Sequence, residues 1–389
     1  DNFDFAKRQM VHMLENIPQG EAKMPHSING KGNTSCRSIY WWTSGFFPGI
    51  LWYINEYTGD KAFESFAKKW TEKLEPVKTF KGNHDIGFMM YCSFGNAYRL
   101  TQNEKYKDIL IQSAYSLATR FNPQVGTIKS WDSWRSWENK HVFKYPVIID
   151  NMMNLELLFW ASKATGDPSF RNIAISHAEK TMKYQIRKDG SSYHLACYDP
   201  ETGNFIKGET SQGYSNESTW SRGQGWGIYG FTLCYRETKD PRFLKTAQRM
   251  ADYYINHPNL PSDKIPWWDF DTHRPGFIPG KFSKTNKYIQ NYRDASAASV
   301  TASALLELSS YVKDDKKKIY TETALQILTS LSSPEYRAEE GKNGNFILKH
   351  STGAIPHGSE VDVPLIYADY YFLEALLRYN RMINNKPIL

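Results

Sequence analysis

Apolar residues recur at helical spacing along nearly the whole chain, in two alternating kinds of segment. In the first kind they occupy one face. Segments 63–74, 106–121, 170–185, 243–257 and 320–331 each open on an aromatic residue and carry charges on the other side. Within 170–185, Ile173, His177, Lys180 and Tyr184 fall at helical spacing with Ala174 and Ala178 alongside, the pattern of a helix that buries one face and solvates the other. The second kind is apolar on more sides, as Met152-Met153-Asn154-Leu155-Glu156-Leu157-Leu158-Phe159-Trp160 shows, and predicts helices that lie inside.

Each inner segment opens on a short polar or aromatic cluster, six in all: Trp42-Thr43-Ser44-Gly45-Phe46, His84-Asp85-Ile86-Gly87-Phe88, Ile149-Asp150-Asn151, Ser221-Arg222-Gly223-Gln224-Gly225-Trp226, Asp294-Ala295-Ser296 and Tyr367-Ala368-Asp369. A turn signal follows at a nearly constant interval. From Trp42 to Asp60 of Thr58-Gly59-Asp60 is 18 residues, from Asp85 to Asn103 also 18, from Asp150 to Asp167 of Thr165-Gly166-Asp167 17, and from Arg222 to Asp240 18. Asp294 to Asp314 is a looser 20, and Asp369 to Asn384-Asn385 fits roughly. Such a register is a repeat architecture. Six inner and six outer helices joined antiparallel by short turns predict an all-α fold, an (α/α)6 barrel or six-hairpin toroid. An open solenoid has the same periodicity; six copies, and a chain ending soon after the sixth, favour closure. No linker or low-complexity run divides the chain, so residues 1–389 read as a single domain. Because the clusters share one position in the repeat, they converge at one end, where function is expected.

Composition sharpens this only in places. A net charge of +7 suits an anionic ligand. It does not imply nucleic acid, because no basic helix or stripe appears; Lys316-Lys317-Lys318 follows two aspartates and reads as a solvated helix start. The 12 Trp gather near Trp41-Trp42, 131–137, 220–226 and Trp267-Trp268. Loop tryptophans such as Trp134 offer faces for sugar C–H groups, although aromatics also simply fill cores. Cys36, Cys92, Cys197 and Cys234 are scattered without CxxC spacing, which argues against zinc or a disulfide framework; Cys92 and Cys234 read as buried thiols. No stretch of about 20 apolar residues predicts a membrane span. The chain starts at Asp1 without Met. A removed signal peptide would place it in a periplasm or outside the cell, and a trimmed cytoplasmic chain would look the same.

Asp85 and Asp150 open two successive inner helices. Asp150 follows Pro146-Val147-Ile148-Ile149, so apolar neighbours desolvate its carboxyl and favour retention of a proton, whereas the helix N-terminus favours the ionised form. A second carboxylate nearby restores the acid, and Asp85 supplies it. Asp in a first helical turn is also simply dipole-stabilising; equivalent positions flanked by His84 and Asn151 point to general acid–base work. Arg222 presents a fork suited to a carboxylate, with Trp226 one turn later on the same face, and Gly223 and Gly225 permit a ligand or another helix to come close. Pairing of Arg222 with an internal acid explains the pattern equally well. His194 and Gln212 sit in the longest polar connection, 188–216. Gly223-Gln224-Gly225 follows no strand and is not read as a nucleotide loop.

Taken together these clusters, with Asp150-Asn151-Met152-Met153-Asn154 and 358–369, resemble the unsaturated glucuronyl hydrolases of glycoside hydrolase family 88, over essentially the whole chain. The Arg-Gly-x-Gly-Trp element is shared with the related unsaturated rhamnogalacturonyl hydrolases. The resemblance implies an (α/α)6 barrel without metal or organic cofactor, acting on the terminal Δ4,5-unsaturated uronic acid that polysaccharide lyases leave on oligosaccharides. It implies Asp150 as general acid and base and Asp85 as its partner carboxylate, with Trp42, His84, Trp134, His194, Gln212, Arg222 and Trp226 in the uronate site. It also implies that loop 349–357 chooses the aglycone through Ser351 and Thr352; the lysine of relatives that accept sulfated sugars is missing before Glu360. Two rivals stand beside this reading: an unsaturated rhamnogalacturonyl hydrolase acting on pectin fragments, against which His84-Asp85 and the Trp-rich first cluster argue, and a noncatalytic glycan-binding toroid, which needs no acidic pair.

Overall fold

The computed structural model of the chain describes residues 2–17 and 23–388. The chain opens with helix α1 (Asn2–Asn16) and a hairpin, β1 (Lys23–Ile28) and β2 (Thr34–Ser38). Inner and outer helices then alternate. The pairs are α2 (Phe46–Thr58) with α3 (Lys61–Glu72), and α4 (Ile86–Met90), a π-helical turn (Tyr91–Gly95) and α5 (Asn96–Thr101) with α6 (Glu104–Ala118). They continue as α7 (Asn151–Thr165) with α8 (Pro168–Tyr184), α9 (Ser221–Thr238) with α10 (Pro241–Asn256), α11 (Ala295–Ser309) with α12 (Asp314–Leu331), and finally α13 (Ile366–Ile383). Between them run short strands: β3 (Phe121–Asn122), β4 (Thr127–Ile128), β5 (Trp134–Arg135), β6 (Val142–Phe143), β7 (Tyr145–Ile148), β8 (Leu195–Tyr198) and β9 (Phe205–Glu209).

The turn signals are caps. Gly59 and Gly166 end α2 and α7 at φ 71° and 77°, a left-handed conformation that costs glycine little. Asp60, Asn103, Asp167 and Asp240 then accept a backbone N–H at the start of α3, α6, α8 and α10. Gln102 and Lys239 hold the left-handed position without glycine, which is why only two of these four corners carry the full Thr-Gly-Asp signal.

Inner helices meet around a ring. Phe88 N–H donates to Asn154 Oδ1 between α4 and α7, Arg236 bonds Glu307 between α9 and α11, Ser303 Oγ donates to Glu374 between α11 and α13, and Tyr53 donates to Glu374 between α2 and α13. All 15 residues of α11 are buried. One apolar core runs from Phe3 to Leu377. The fold is the (α/α)6 barrel expected.

Three details depart from the sequence reading. The sixth outer helix does not follow α13; α1 takes its place. Asn2 bonds Ser332, Gln9 bonds the carbonyls of Lys342 and Phe346, and Lys7 pairs with Asp60 at 2.7 Å, so α1 spans the gap between α12 and α3. The polar connection 188–216 contains β8 and β9, which pair with β7 in an antiparallel three-stranded sheet. The buried stripe of α8 runs through Phe170, Ala174, His177, Ala178 and Thr181, with Lys180 and Tyr184 only half-buried. All four cysteines are free; Cys234 is buried and Cys92 half-buried. Among the described residues no helix is long and apolar enough to cross a membrane.

Candidate active site

The β7–β8–β9 sheet assembles the chemistry. Ile148 of β7 pairs with Leu195 of β8, and Leu195 with Glu209 of β9. This register sets His194, just before β8, beside the start of α7, where Ile149 N–H donates to the His194 carbonyl at 2.9 Å. It also brings Ser211 and Gln212, just past β9, to the same point. Asp150 therefore stands at the head of α7 facing His194, and Asp85 stands at the head of α4.

Asp85 and Asp150 both line a cavity of about 500 Å³ at the end of the barrel where the inner helices begin. Neither carboxylate caps its own helix. Each has a histidine behind it. His194 Nε2 lies 3.7 Å from Asp150 Oδ1, and His84 Nε2 lies 3.2 Å from Asp85 Oδ1. Nδ1 of His194 accepts backbone N–H groups from Ser211 and Gln212 at 3.0 and 3.1 Å. An imidazole nitrogen that accepts carries no proton, so the proton sits on Nε2, on the side of the ring nearer Asp150 but beyond hydrogen-bond distance of it. Burial pushes His194 below the usual imidazole range, while Asp150 pulls the other way. On the other carboxylate's side, Ser130 Oγ accepts from Ile148 N–H at 2.9 Å and lies 3.2 Å from His84 Nδ1. Asp150 Oδ2 is buried without a partner in the protein.

The remaining expected residues divide. Trp42, Trp134, Gln212, Arg222 and Trp226 line the cavity. Trp226 is 1% exposed and packs on Phe88 and Tyr371, so it forms the floor rather than a free platform. His84 and His194 stand behind the carboxylates. Arg222 is not a free fork. Its Nη1 donates to Asp294 at 2.8 Å and to the Thr352 carbonyl at 2.7 Å, its Nη2 to the Gly353 carbonyl at 2.7 Å, and only Nε lacks a partner. The internal pairing that the sequence left open is the one formed. Gly223 and Gly225 serve packing: a Cβ at Gly223 would meet the Trp220 ring at 2.7 Å, and one at Gly225 would meet Thr301 of α11 at 3.0 Å.

Ser351 and Thr352 do not reach the cavity. Both are buried at the base of their loop, Ser351 bridged to Val363 and Thr352 Oγ1 donating to the Arg293 carbonyl. Ala354, His357, Ser359 and Glu360 of the same loop face the cavity instead. Glu360 bonds His26 at 2.7 Å. Burial works to raise its carboxyl, but His26, Arg222 and Arg37 outweigh it and hold it below the usual range. Asn83 is a further wall residue not read from the sequence. Its side chain accepts the Asp85 N–H at 2.9 Å, and this short-range Asn-x-Asp turn was the available signal.

A second cavity of about 310 Å³ lies deeper, beneath Phe88. Its charged groups have partners in the protein: Glu374 accepts from Tyr53, Tyr229 and Ser303, and Arg99 forks onto Glu56. Of these two cavities, the first is the one lined by Asp85 and Asp150.

Comparison with known proteins gives the family. The sequence profile of Glycosyl Hydrolase Family 88 matches residues 17–235. An unsaturated glucuronyl hydrolase of Formosa agariphila is 46% identical over 88% of this chain and 80% of its own length. The crystal structure of an unsaturated glucuronyl hydrolase specific for heparin superposes with a TM-score of 0.88 at 45% identity, covering 98% of both chains. A Streptococcus agalactiae unsaturated glucuronyl hydrolase with one Asp replaced by Asn, complexed with dGlcA-GalNAc6S, superposes with a TM-score of 0.76 at 29% identity over 97% of this chain and 90% of that one.

Proposed function

The chain belongs to Glycosyl Hydrolase Family 88, and on that premise we propose that Asp150 is the general acid and base with which it removes a terminal Δ4,5-unsaturated uronic acid. The protein is a glycosidase of the unsaturated glucuronyl hydrolase kind. Water is added across the C4=C5 double bond. The Asp150 carboxyl gives its proton to C4, and the carboxylate so formed takes a proton from water as the water oxygen bonds to C5. The resulting hemiketal opens by breaking the bond between C5 and the ring oxygen, leaving a ketone at C5. C1 then becomes an aldehyde as the aglycone departs as its alcohol.

One observation carries this assignment: Asp150 lines the cavity beside Asp85, its Oδ2 has no partner in the protein, and His194 Nε2 stands 3.7 Å from its Oδ1. Asp85, with His84 Nε2 3.2 Å from its Oδ1, is assigned as the partner carboxylate. Trp42, Trp134, Gln212 and Trp226 are assigned to the sugar, and Arg222 to holding the loop above it. Ala354, His357, Ser359 and Glu360 take the aglycone role expected of Ser351 and Thr352. The continuity of the core supports residues 1–389 acting as one catalytic unit. The substrates proposed are glycosaminoglycan disaccharides, those from heparin first, because the 45%-identical structure is of a heparin-specific enzyme.

The test offers unsaturated disaccharides made by heparin, chondroitin and hyaluronan lyases and follows loss of the ultraviolet absorbance of the conjugated double bond. Asp150→Asn is expected to lower turnover by about 10²–10⁴-fold while substrate still binds. Failure of the native protein on every unsaturated disaccharide would overturn the function. Full activity in a folded Asp150→Asn protein would overturn only the role of Asp150.

A further inference from the structure

We infer that Glu209 is a positioning residue that sets the tilt of the Trp134 ring in the cavity wall. Glu209 ends β9 and is 1% exposed. It accepts Trp134 Nε1–H at 2.9 Å and Ser136 Oγ–H at 2.8 Å, and pairs with Lys207 Nζ at 3.1 Å. Two residues on, the Ser211 carbonyl accepts Trp137 Nε1–H at 3.0 Å, and Ser211 Oγ lies 3.0 Å from His357 Nε2. The end of β9 thus acts as a rail to which two indoles and one imidazole of the wall are tied.

Trp134 is buried against Phe143, Ile148, Leu195 and Cys197, and the Glu209 bond is the directional contact added to that packing. Its nearest rings, Trp137, Trp131 and His357, stand 5.3, 6.0 and 6.4 Å away at interplanar angles of 83°, 46° and 63°, and none stacks flat on it. A carboxylate acceptor at the indole N–H fixes the plane directionally. With a sugar packed against that face, a loosened ring lowers affinity and leaves proton transfer at Asp150 intact.

This inference rests on the proposed function only for its kinetic arm. Glu209→Ala is expected to raise KM roughly tenfold while kcat stays within about twofold, because binding rather than chemistry is disturbed. Glu209→Gln should restore most of the native KM, since its amide oxygen accepts from Trp134 while its NH2 donates to Ser136 Oγ. On a Trp134→Phe background, Glu209→Ala should change KM no further. Glu209→Leu, which keeps the volume, replaces the Ala variant if that does not fold. Independently of turnover, Trp134 emission, taken as the difference between each protein and its Trp134→Phe counterpart, should shift in Glu209→Ala and not in Glu209→Gln. Equal KM increments on both backgrounds, a Gln variant as impaired as Ala, or a loss confined to kcat would overturn it. Absence of turnover with the expected emission shift would sink the function and leave the positioning role standing.

Discussion

Arg222 sits in the cavity wall between the Trp220 ring at 4.5 Å and the Tyr367 ring at 5.2 Å, with both terminal nitrogens engaged by Asp294 and by the carbonyls of Thr352 and Gly353. A guanidinium spans three acceptors in a plane; an ammonium on a flexible stem does not. Arg222→Lys is therefore expected to cost about 1–3 kcal/mol of stability, since buried acceptors are left unmade, and to raise KM as loop 351–360 shifts. Thermal unfolding and steady-state kinetics check this together. Unchanged stability with lost activity would instead make Arg222 a direct reader of the substrate acid. The sequence showed that Arg222 belonged to the site and left both uses open, because the choice depends on Asp294 and on carbonyls 130 residues away. Ser351 and Thr352 came from the family resemblance, which marks a loop; only the path of the loop, with Ser351 bridged to Val363, decides which of its side chains face inward.

Elements were legible where local signals repeat. Gly59 and Gly166 at left-handed corners, followed by capping Asp60 and Asp167, act within four residues of chain and need no tertiary context. Strand β8 was missed because all four of its residues are buried, so no alternation of polar and apolar positions marks it. Helix contacts were equally hidden, since a glycine in a helix reads only as a weak point. Gly230 of α9 shows what it does: a Cβ there would lie 2.4 Å from Met152 Cβ of α7. Gly230→Ala gains helix propensity yet forces α7 and α9 apart, and overpacking of this kind costs typically about 1–3 kcal/mol. A lowered unfolding temperature in Gly230→Ala is the expected result. A more stable variant would mean that the two helices part at little cost and that Gly230 is merely tolerated.

At the scale of the molecule, closure of the ring depends on α1 reaching Ser332 and Asp60, contacts 330 and 53 residues distant, and no periodicity in the last repeat could show that its outer helix lies at the other end of the chain. The loops at the active end are tied to the outer ring in the same long-range way. His177 of α8 is fully buried, and its Nδ1 accepts the Ile128 N–H of β4 at 3.0 Å. Burial, reinforced by His84, lowers its imidazole to about 3. The unfolded chain titrates near the ordinary value of about 6.5. Between these values the unfolded state binds the proton and the folded state does not, so this contribution is whole above about 6.5 and is lost as pH falls toward about 3. His194, lowered in the same direction by burial, adds to the trend, and so does Glu64, a carboxylate held at about 2 by Lys61 and Lys68 that loses its contribution at lower pH still. His177→Gln supplies an oxygen for Ile128 without a titrating ring. Its stability should fall less between pH 7.5 and pH 4.5 than that of the native protein, by about 2–3 kcal/mol over this window, as measured by denaturant unfolding at both pH values. Equal losses in the two proteins would show that His177 is not a source of the acid sensitivity, and that the contact between α8 and β4 survives protonation.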